Sequence, residues 1–509
     1  MSPHKHDASL KAIDLSHHLN SKSKARHPSP LKDIIRFMAV ENMVTLAGGL
    51  PHPSLFPIYD ATISISNPSK TGEMKLSLSN EQTDTPLSSF LQYGTSAGNA
   101  KLRQWCEEFT KRVHMPLYED FETLLHTGNT NAWSKVVGLL CEEGDYILCE
   151  SHIYPSAQAY WIPQGNLAAP VALDEQGIRD DALEQILRNW EITHPGVNRP
   201  HVLYLVSVGS NPTGVTMGTE RRQRIYDICV KFDVIIVEDD PYFFLQYPEY
   251  SMGNQVEGQV ISNEKFLASL VPSFLRFDYQ GRVIRLESLS KTVAPGLRLG
   301  YFVANSLFTE RLLRASEVET QDPSGMSQAL VYGLMQQWGT EGYLTWLQTI
   351  RIEYQTRRDW IIKAFAKQFT LKPAAEVPEI SSSEGIAALI GSVPIFSFVP
   401  PTGGMFIWTT FYLNQNPNFK KLQLDSAIED PEQLFGHTLW ENLAEELVLL
   451  TPGSYYYPWQ GKDKVTTKAR GAEPEIVNLR FSFSMATMEE MELGVARLAK
   501  VVKSSWQLE

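Results

Sequence analysis

Short apolar runs alternate with longer amphipathic segments through the middle of the chain. Each run has six or seven residues around an aliphatic or aromatic centre, which is typical of a buried strand. The runs that we predict as strands are DYILCE (145–150), HVLYLVS (201–207), DVIIVED (233–239), RVIRLES (282–288) and LGYFVA (299–304). Helical segments such as TERRQRIYDICVKF separate several of them. This alternation predicts an α/β fold with a largely parallel sheet covered by helices on both faces.

The pattern changes after Ser327, where two long helical segments follow one another. The second, GYLTWLQTIRIEYQTRRDWIIKAFAKQF, has no Gly or Pro after its start and exceeds the usual three or four turns, so we expect it to bridge two domains. The runs MFIWTTF, LVLLTPG and IVNLRFSFS follow, together with two further helical segments. They predict a separate, smaller α+β unit.

We therefore divide the chain into a polar tail or arm (1–30), an N-terminal segment contributing to the small domain (31–90), a large domain (91–345) and a C-terminal small domain (346–509). Residues 67–89 are rich in Ser, Thr, Pro and Asn and predict an inserted loop. Residues 376–398 are interpreted as a second insert.

The arm carries the pair His17 and His18. No acidic or cysteine ligands cluster with them in the sequence, so no metal site is expected.

Charge and cysteine content narrow the classes of partner. The 45 basic and 58 acidic residues leave a net charge of −13, which opposes binding to nucleic acid or anionic lipid. The uncharged stretch 385–419 is interrupted by Pro and Gly, so no membrane span is expected. The four cysteines lack metal-binding spacing and are interpreted as reduced core thiols. The amino terminus lacks the apolar core of a signal peptide. We expect a cytoplasmic protein.

Polar residues concentrate where the predicted strands end. In an open α/β sheet, ligands bind beyond the carboxyl ends of the strands. Each segment alone has a purely structural explanation, as a turn, a helix cap or a solvated lysine. Their joint occurrence predicts one ligand site. The segments are HTGNTNAW (126–133), SHIYPS (151–156), SNPTG (210–214), EDDPYFF (238–244) and SLSK (288–291).

With LAGGLPHPSLFP (46–57), LQYGTSAG (91–98), SLSKTVAPGLRLGY (288–301), GGMFIW (403–408) and NLRFSFS (478–484), these segments resemble a known family. It is the fold-type I pyridoxal-phosphate enzymes, specifically the class I aminotransferases of the aromatic, 2-aminoadipate and kynurenine branch that includes fungal aromatic aminotransferases. The resemblance covers nearly the whole chain. It implies a large domain that binds pyridoxal phosphate on a mostly parallel mixed sheet sandwiched by helices, a small α+β domain, and a homodimer with a shared active site.

The resemblance also assigns roles around the cofactor. Lys291 is the catalytic lysine that binds pyridoxal phosphate covalently and later moves the substrate proton, and Asp239 pairs with the ring nitrogen. Asn211 and Tyr242 hydrogen-bond the phenolic oxygen, while Tyr154 stacks on the ring. The residues implied around the phosphate are Asn129, Thr130, Ser288, Ser290, Arg298 and, from the neighbouring subunit, Tyr93.

On the substrate side, the resemblance implies that Arg480 and Asn211 bind the amino acid and that Gly49 and Phe406 wall its side-chain pocket. The expected function is ping-pong transfer of the amino group of Phe, Tyr or Trp, or of 2-aminoadipate or kynurenine, to a 2-oxo acid such as 2-oxoglutarate. Two alternatives stay open. One is a fold-type I lyase or decarboxylase, since fold does not fix reaction type. The other is a cofactor-binding transcription regulator, which needs a basic recognition helix that the first 90 residues do not show.

Overall fold

The computed structural model describes residues 10–30, 34, 37, 40–44, 46–47, 49–68, 72–81, 85–253, 258–380 and 384–508. The strands in these ranges are β1 (Asp60–Ser66), β2 (Glu73–Ser79), β3 (Phe121–His126), β4 (Tyr146–Glu150), β5 (Leu167–Val171), β6 (Leu173–Asp174), β7 (Gly177–Ile178), β8 (Val202–Leu205), β9 (Ile235–Asp239), β10 (Val283–Ser288), β11 (Gly300–Asn305), β12 (Thr370–Pro373), β13 (Ile386–Ile390), β14 (Val393–Phe398), β15 (Phe406–Tyr412), β16 (Thr451–Pro452) and β17 (Ile476–Ser482).

The α-helices in the same ranges are Ser21–Lys24, Leu87–Leu91, Ala100–Val113, Asn129–Leu140, Pro155–Trp161, Asp180–Thr193, Thr219–Phe232, Asn263–Ala268, Ser306–Glu319, Gly325–Gln368, Pro417–Leu424, Pro431–Glu445, Thr467–Arg470 and Met488–Trp506. None of the helices described is both long enough and apolar enough to cross a membrane.

A seven-stranded sheet in the order β3-β11-β10-β9-β8-β4-β5 forms the larger core. Strand β11 runs antiparallel to both its neighbours, whereas the other pairings are parallel. Every residue of β8, β9, β10 and β11 is buried, which requires cover on both faces. The predicted mostly parallel, doubly covered sheet is confirmed. Strands β3 (FETLLH) and β5 (LAAPV) were not predicted; the proline in LAAPV weakens the strand pattern there.

A six-stranded antiparallel sheet in the order β12-β13-β14-β15-β17-β16 forms the smaller core. The helix Met488–Trp506 packs near it, with Trp506 against Phe411 of β15. The predicted α+β unit is therefore confirmed. The segment 376–398, expected as an insert, supplies β13 and β14 inside this sheet.

The helix Gly325–Gln368 connects the two sheets. Gly339 adopts φ 63° and ψ 176°, a backbone conformation outside the helix, and divides it into 325–338 and 340–368. The second part contacts the larger unit through Tyr343, whose hydroxyl donates to Thr292 at 3.0 Å, and the smaller sheet through Phe365, which packs on Phe396. The bridging helix predicted from the Gly-free and Pro-free stretch is confirmed.

The expectation of an inserted loop at 67–89 is wrong. Strands β1 and β2 form an antiparallel hairpin, and the helix Leu87–Leu91 follows it. Alternation in the run MKLSLS turns Leu76 and Leu78 to one face, where they pack on Ala329 and Leu334. The described hairpin therefore packs on the helix segment 325–338, which belongs to the predicted large domain. It does not join the six-stranded sheet of the small domain.

The described part of the arm, residues 10–30, packs onto the larger unit. Leu15 and Leu19 are buried in the main core. The Asn20 side-chain amide donates to the carbonyls of Gly138 (3.0 Å) and Cys141 (2.8 Å) at the end of the helix Asn129–Leu140. These residues therefore form a fixed arm. All four cysteines are buried and free, as predicted.

Candidate active site

The carboxyl ends of β8, β9 and β10 and the N-terminus of the helix Asn129–Leu140 meet at a cavity of about 270 Å³. Most of the predicted site residues line it: Asn129, Thr130, Tyr154, Asn211, Asp239, Tyr242, Ser288, Ser290, Lys291, Arg298 and Phe406. The sequence analysis did not single out Trp133, Ser156, Tyr204, Val206, Pro241 and Pro295, which also line it. The motifs at the strand ends therefore converge on one cavity.

Asp239 is the last residue of β9 and is buried. The Tyr204 hydroxyl donates to its Oδ2 at 2.6 Å, and the Asn129 Nδ2 donates to its Oδ1 at 2.7 Å. Burial raises the pKa of Asp239, and these two hydrogen bonds oppose the rise because they stabilise the ionised form. Each carboxylate oxygen keeps a second lone pair, so the group is fixed in orientation and still able to accept an N–H from a ligand.

The Asn129 side chain has a contact of its own beside the helix start that is predicted to bind the phosphate. It donates to Asp239 and, at 2.9 Å, to the Leu286 carbonyl, so its amide group is committed to the other end of the cavity. The helix begins at this residue, and the first N–H groups of a helix lack partners within it. Anion binding by Asn129 is therefore left to its backbone N–H group, in agreement with the predicted role of the helix start, and Thr130 lines the same cavity.

Arg298 lies against the start of this helix. Gly128 has φ 102°, and a Cβ atom there would lie 1.9 Å from the Arg298 Nη2, so only glycine lets the guanidinium approach. The Arg298 Nη1 lies 3.2 Å from the Ser290 hydroxyl. A helix N-terminus, a guanidinium and serine hydroxyls together form a donor set that suits a phosphate group.

Lys291 follows directly on Ser290 and is half-buried. Burial lowers the pKa of its amine, and the nearby Arg298 guanidinium lowers it further. Within the described ranges no carboxylate forms an ion pair with it. A lysine in this state has a larger share of free amine, the form that attacks a carbonyl carbon and accepts a proton.

Arg480 of β17 reaches the site from the smaller sheet. Its Nη1 donates to the Asn211 Oδ1 at 2.7 Å, and its guanidinium carbon lies 4.2 Å from the centre of the Phe406 ring and 5.2 Å from that of Tyr456. Its buried Nε has no hydrogen-bond partner among the described residues. The cation is thus held between two rings with donor capacity left for a carboxylate, and the Asn211 amide nitrogen also stays free to donate.

Gly49 and Tyr93 do not lie in this cavity. Space around Gly49 is open, and Tyr93 is 59% exposed. Tyr93 instead lines a separate depression of about 640 Å³ together with Pro51, Phe56 and Asp322. The resemblance placed Tyr93 in a neighbouring subunit's site, so its role stays a prediction, as does that of Gly49.

Tyr204 is the functional residue that the sequence analysis missed. It lies within HVLYLVS, a run interpreted only as core, and pairs in register with Val237 of the neighbouring strand. A tyrosine hydroxyl buried in a parallel strand needs a polar partner. Because the adjacent predicted strand ends in acidic residues, this requirement could have indicated that the Tyr204 hydroxyl contacts one of them.

A buried ion network supports the strand that carries Asp239. The neighbouring Glu238 points to the opposite face of β9, where it pairs with Arg222 at 3.0 Å and with Arg285 at 2.9 Å. All three side chains are shielded from solvent. Since buried charges are costly unless paired, this network fixes the end of β9.

Comparison with known proteins identifies the family to which this chain belongs. Residues 79–498 match the family model described as aminotransferase class I and II. The chain belongs to this family. An aromatic amino acid aminotransferase of Schizosaccharomyces pombe is 35% identical over 97% of this chain and 98% of its own length. The L-tyrosine:2-oxoglutarate aminotransferase of Serpula lacrymans is 34% identical over 87% of this chain and 84% of its own. The crystal structure of the aminotransferase Aro8 from Candida albicans matches with a TM-score of 0.85 at 33% identity, covering 98% of this chain and 100% of that one.

The protein is an aminotransferase, and its cofactor is pyridoxal phosphate. The cavity fits this group because a carboxylate and an anion-binding donor set lie in the same cavity as a lysine of lowered pKa. Asp239 would hold the ring nitrogen, Lys291 the aldehyde carbon, and the helix start with Arg298 and the serines the phosphate. When bound, the cofactor supplies an electron sink for the charge that develops when the substrate Cα loses its proton.

Proposed function

We propose that this enzyme transfers the amino group of an aromatic amino acid to a 2-oxo acid such as 2-oxoglutarate. The observation that carries the proposal is the position of Arg480, sandwiched between Phe406 and Tyr456 beside a cavity that Tyr154 and Tyr242 also line. An amino acid whose carboxylate binds the guanidinium would therefore have aromatic rings close to its side chain. The printed names of the S. pombe and S. lacrymans relatives support the same substrate class.

In this proposal each residue has a defined role. Arg480 and the amide nitrogen of Asn211 bind the substrate carboxylate and so set which bond at Cα faces Lys291. Lys291 takes the Cα proton and delivers it to the carbon that was the cofactor's aldehyde. Asp239 keeps the ring nitrogen protonated. Hydrolysis would then release the first substrate as its 2-oxo acid. A second 2-oxo acid would bind through the same carboxylate contacts, and the steps would run in reverse.

A donor panel tests the substrate class. We expect kcat/KM with 2-oxoglutarate to be about 10–200-fold higher for Phe, Tyr or Trp than for 2-aminoadipate, the range that a few apolar contacts supply. Formation of glutamate measures the reaction. The variant Phe406→Leu should lower kcat/KM for Phe more than for 2-aminoadipate. A preference for 2-aminoadipate or kynurenine would contradict the proposed donor, and release of ammonia or carbon dioxide in place of glutamate would indicate a lyase or decarboxylase.

We further propose that the active form is a homodimer in which a second copy supplies Tyr93. The support is the number of exposed apolar side chains in the N-terminal part of the chain, which are Val44, Leu46, Leu55, Tyr59 and Tyr93 itself. Side chains of this kind are usually covered by a partner. The depression along Tyr93 offers room for such a contact.

Hybrid dimers test the shared site. Lys291→Ala and Tyr93→Ala subunits are each expected to be impaired alone. When the two are unfolded and refolded together, about a quarter of the wild-type activity should return, because half of the dimers then hold one site with both native residues. Analytical ultracentrifugation measures assembly. No recovery from a mixture that does form dimers would show that Tyr93 serves its own subunit or no site at all.

We also propose a cytoplasmic location. All four cysteines are buried and free, and burial raises the pKa of Cys106, Cys141, Cys149 and Cys229. Thiols kept in this state suit a reducing compartment. Fluorescence microscopy of a tagged chain tests the proposal, and accumulation in an organelle would contradict it.

A further inference from the structure

Two histidines of the arm converge on Asp233, which lies just before the amino end of β9, the central strand of the larger sheet. The His17 Nε2 lies 2.7 Å from the Asp233 Oδ2, and the His18 Nε2 lies 3.0 Å from the Asp233 Oδ1. The ligand atoms of the three residues all lie within 4.8 Å of one another. No metal site was expected here, because no cluster of acidic or cysteine ligands surrounds this pair in the sequence. The fold supplies an acidic ligand from more than 200 positions away.

Two of the three groups, His18 and Asp233, are held in the form that binds a metal ion. His18 is buried, and burial lowers its pKa to about 4 against the opposing influence of Asp233. Burial favours the neutral form of Asp233, but the hydrogen bonds from His17 and His18 outweigh it and lower the pKa of this carboxyl to about 2. Neutral imidazole and ionised carboxylate are the ligating forms.

We propose that His17, His18 and Asp233 bind a divalent transition-metal ion of the Zn²⁺ type and thereby fasten the arm to the larger unit. Two imidazole nitrogens and one carboxylate oxygen make a common three-ligand set for Zn²⁺, with the fourth position left to water. His17 is 58% exposed and Asp233 48% at the side chain, so solvent and the ion reach the site. Ligands about 2.0–2.2 Å from an ion lie somewhat farther apart than hydrogen-bond partners, so binding requires a small separation of the three ligand atoms.

The positive charge of Arg282, which lies beside Asp233, opposes binding of a metal ion there. The Arg282 Nη1 lies 3.4 Å from the Asp233 Oδ1 and donates at 3.0 Å to the Val234 carbonyl, and its Nε donates to Gln280 at 2.8 Å. The guanidinium is therefore anchored beside Oδ1 and leaves Oδ2, the oxygen next to His17, as the metal ligand. A ligating carboxylate is commonly held by such a second hydrogen bond.

The proposed site is separate from the active site. Asp233 precedes β9 and Asp239 ends it, which places the two on the order of 15–20 Å apart along the strand direction. His17 and His18 lie between Leu15 and Leu19, which are buried, and close to Asn20, which donates to the carbonyl of Gly138 in the helix Asn129–Leu140. Metal binding should consequently stabilise the arm without altering transamination.

Titration of the chelator-treated holoenzyme with Zn²⁺ alone tests the proposal by calorimetry. We expect one saturable site, and at least about a tenfold loss of affinity in His17→Ala/Asp233→Asn, because two of the three ligands are removed. Asparagine suits position 233 because the residue there has φ 58°, a left-handed conformation that Asn tolerates. The control is His437→Ala, which removes an exposed histidine that pairs with a single carboxylate, Glu441. This control should bind Zn²⁺ as the wild type does.

Two further readouts separate the site from a folding defect. Zn²⁺ should raise the Tm of the wild type and slow proteolysis within residues 10–30, and do neither in the double variant. The double variant should retain wild-type transaminase activity, which reports that it is folded. Equal Zn²⁺ affinity in the wild type and the active double variant, or no saturable binding by the wild type, would overturn the proposal and leave a hydrogen-bonded clasp without a metal.

Discussion

Replacing Lys291 by alanine is expected to abolish transamination while leaving the fold intact. The residue supplies both the covalent bond to the cofactor and the amine that moves the Cα proton, so we expect kcat to fall by at least about 10⁴-fold. Its side chain is half-buried at the cavity and makes no ion pair within the described ranges, so truncation removes no buried partner. Stopped-flow assays of glutamate formation measure the loss.

A second measurement identifies the lysine independently of turnover. After borohydride reduction, peptide mapping should find the cofactor on the peptide that carries Lys291 and find none in Lys291→Ala. Lys135 is a suitable control, because burial lowers its pKa to about 8 and its amine donates to Ser316 at 2.7 Å and Thr320 at 2.9 Å. Lys135→Gln keeps donors for both hydroxyls and should retain the label. Label on Lys135, or wild-type turnover in Lys291→Ala, would contradict the assignment.

The positions of Lys291, Asp239 and Ser288 were predictable because they follow from strand ends. Parallel strands bring their carboxyl ends to one edge of the sheet, so Asp239 and Ser288 had to be neighbours once β9 and β10 were identified. Arg480 was harder, since it comes from a different sheet. Its assignment rested on the resemblance, because nothing in IVNLRFSFS indicates by itself which distant strand it will face.

The failures of prediction have physical causes. The hairpin 60–79 was hidden by a composition rich in Ser and Thr, although alternate leucines in MKLSLS carried the strand signal. The contact between the Asn129 side chain and Asp239 was not predicted, because it depends on a rotamer, which no linear pattern specifies. The cluster of His17, His18 and Asp233 depends on packing between residues more than 200 positions apart. Local pattern therefore predicted elements and strand ends, and side-chain direction needed the structure.

Asp239→Asn is the second variant with a large expected effect. The amide is nearly isosteric, but it carries no negative charge to keep the ring nitrogen protonated. We expect kcat/KM to fall by about 10²–10³-fold, the usual loss for one preorganised electrostatic group. Equilibrium binding of pyridoxal phosphate, followed by fluorescence, should weaken in parallel. Full activity in a variant that binds the cofactor normally would contradict the role.

Tyr204→Phe provides a graded version of the same experiment. The Tyr204 hydroxyl stabilises the ionised form of Asp239 through a 2.6 Å hydrogen bond, so its removal should raise the pKa of that carboxyl and move the acidic limb of the kcat/KM profile to higher pH. A loss of about tenfold in kcat/KM matches one hydrogen bond to a charged group. Tyr226→Phe is the matched control, because the Tyr226 hydroxyl donates at 2.9 Å to Asp278, another buried carboxylate, outside the cavity. It should lower stability to a similar extent and leave the acidic limb in place. A limb that moves equally in both variants would show that the Tyr204 contact supports the fold and does not tune Asp239.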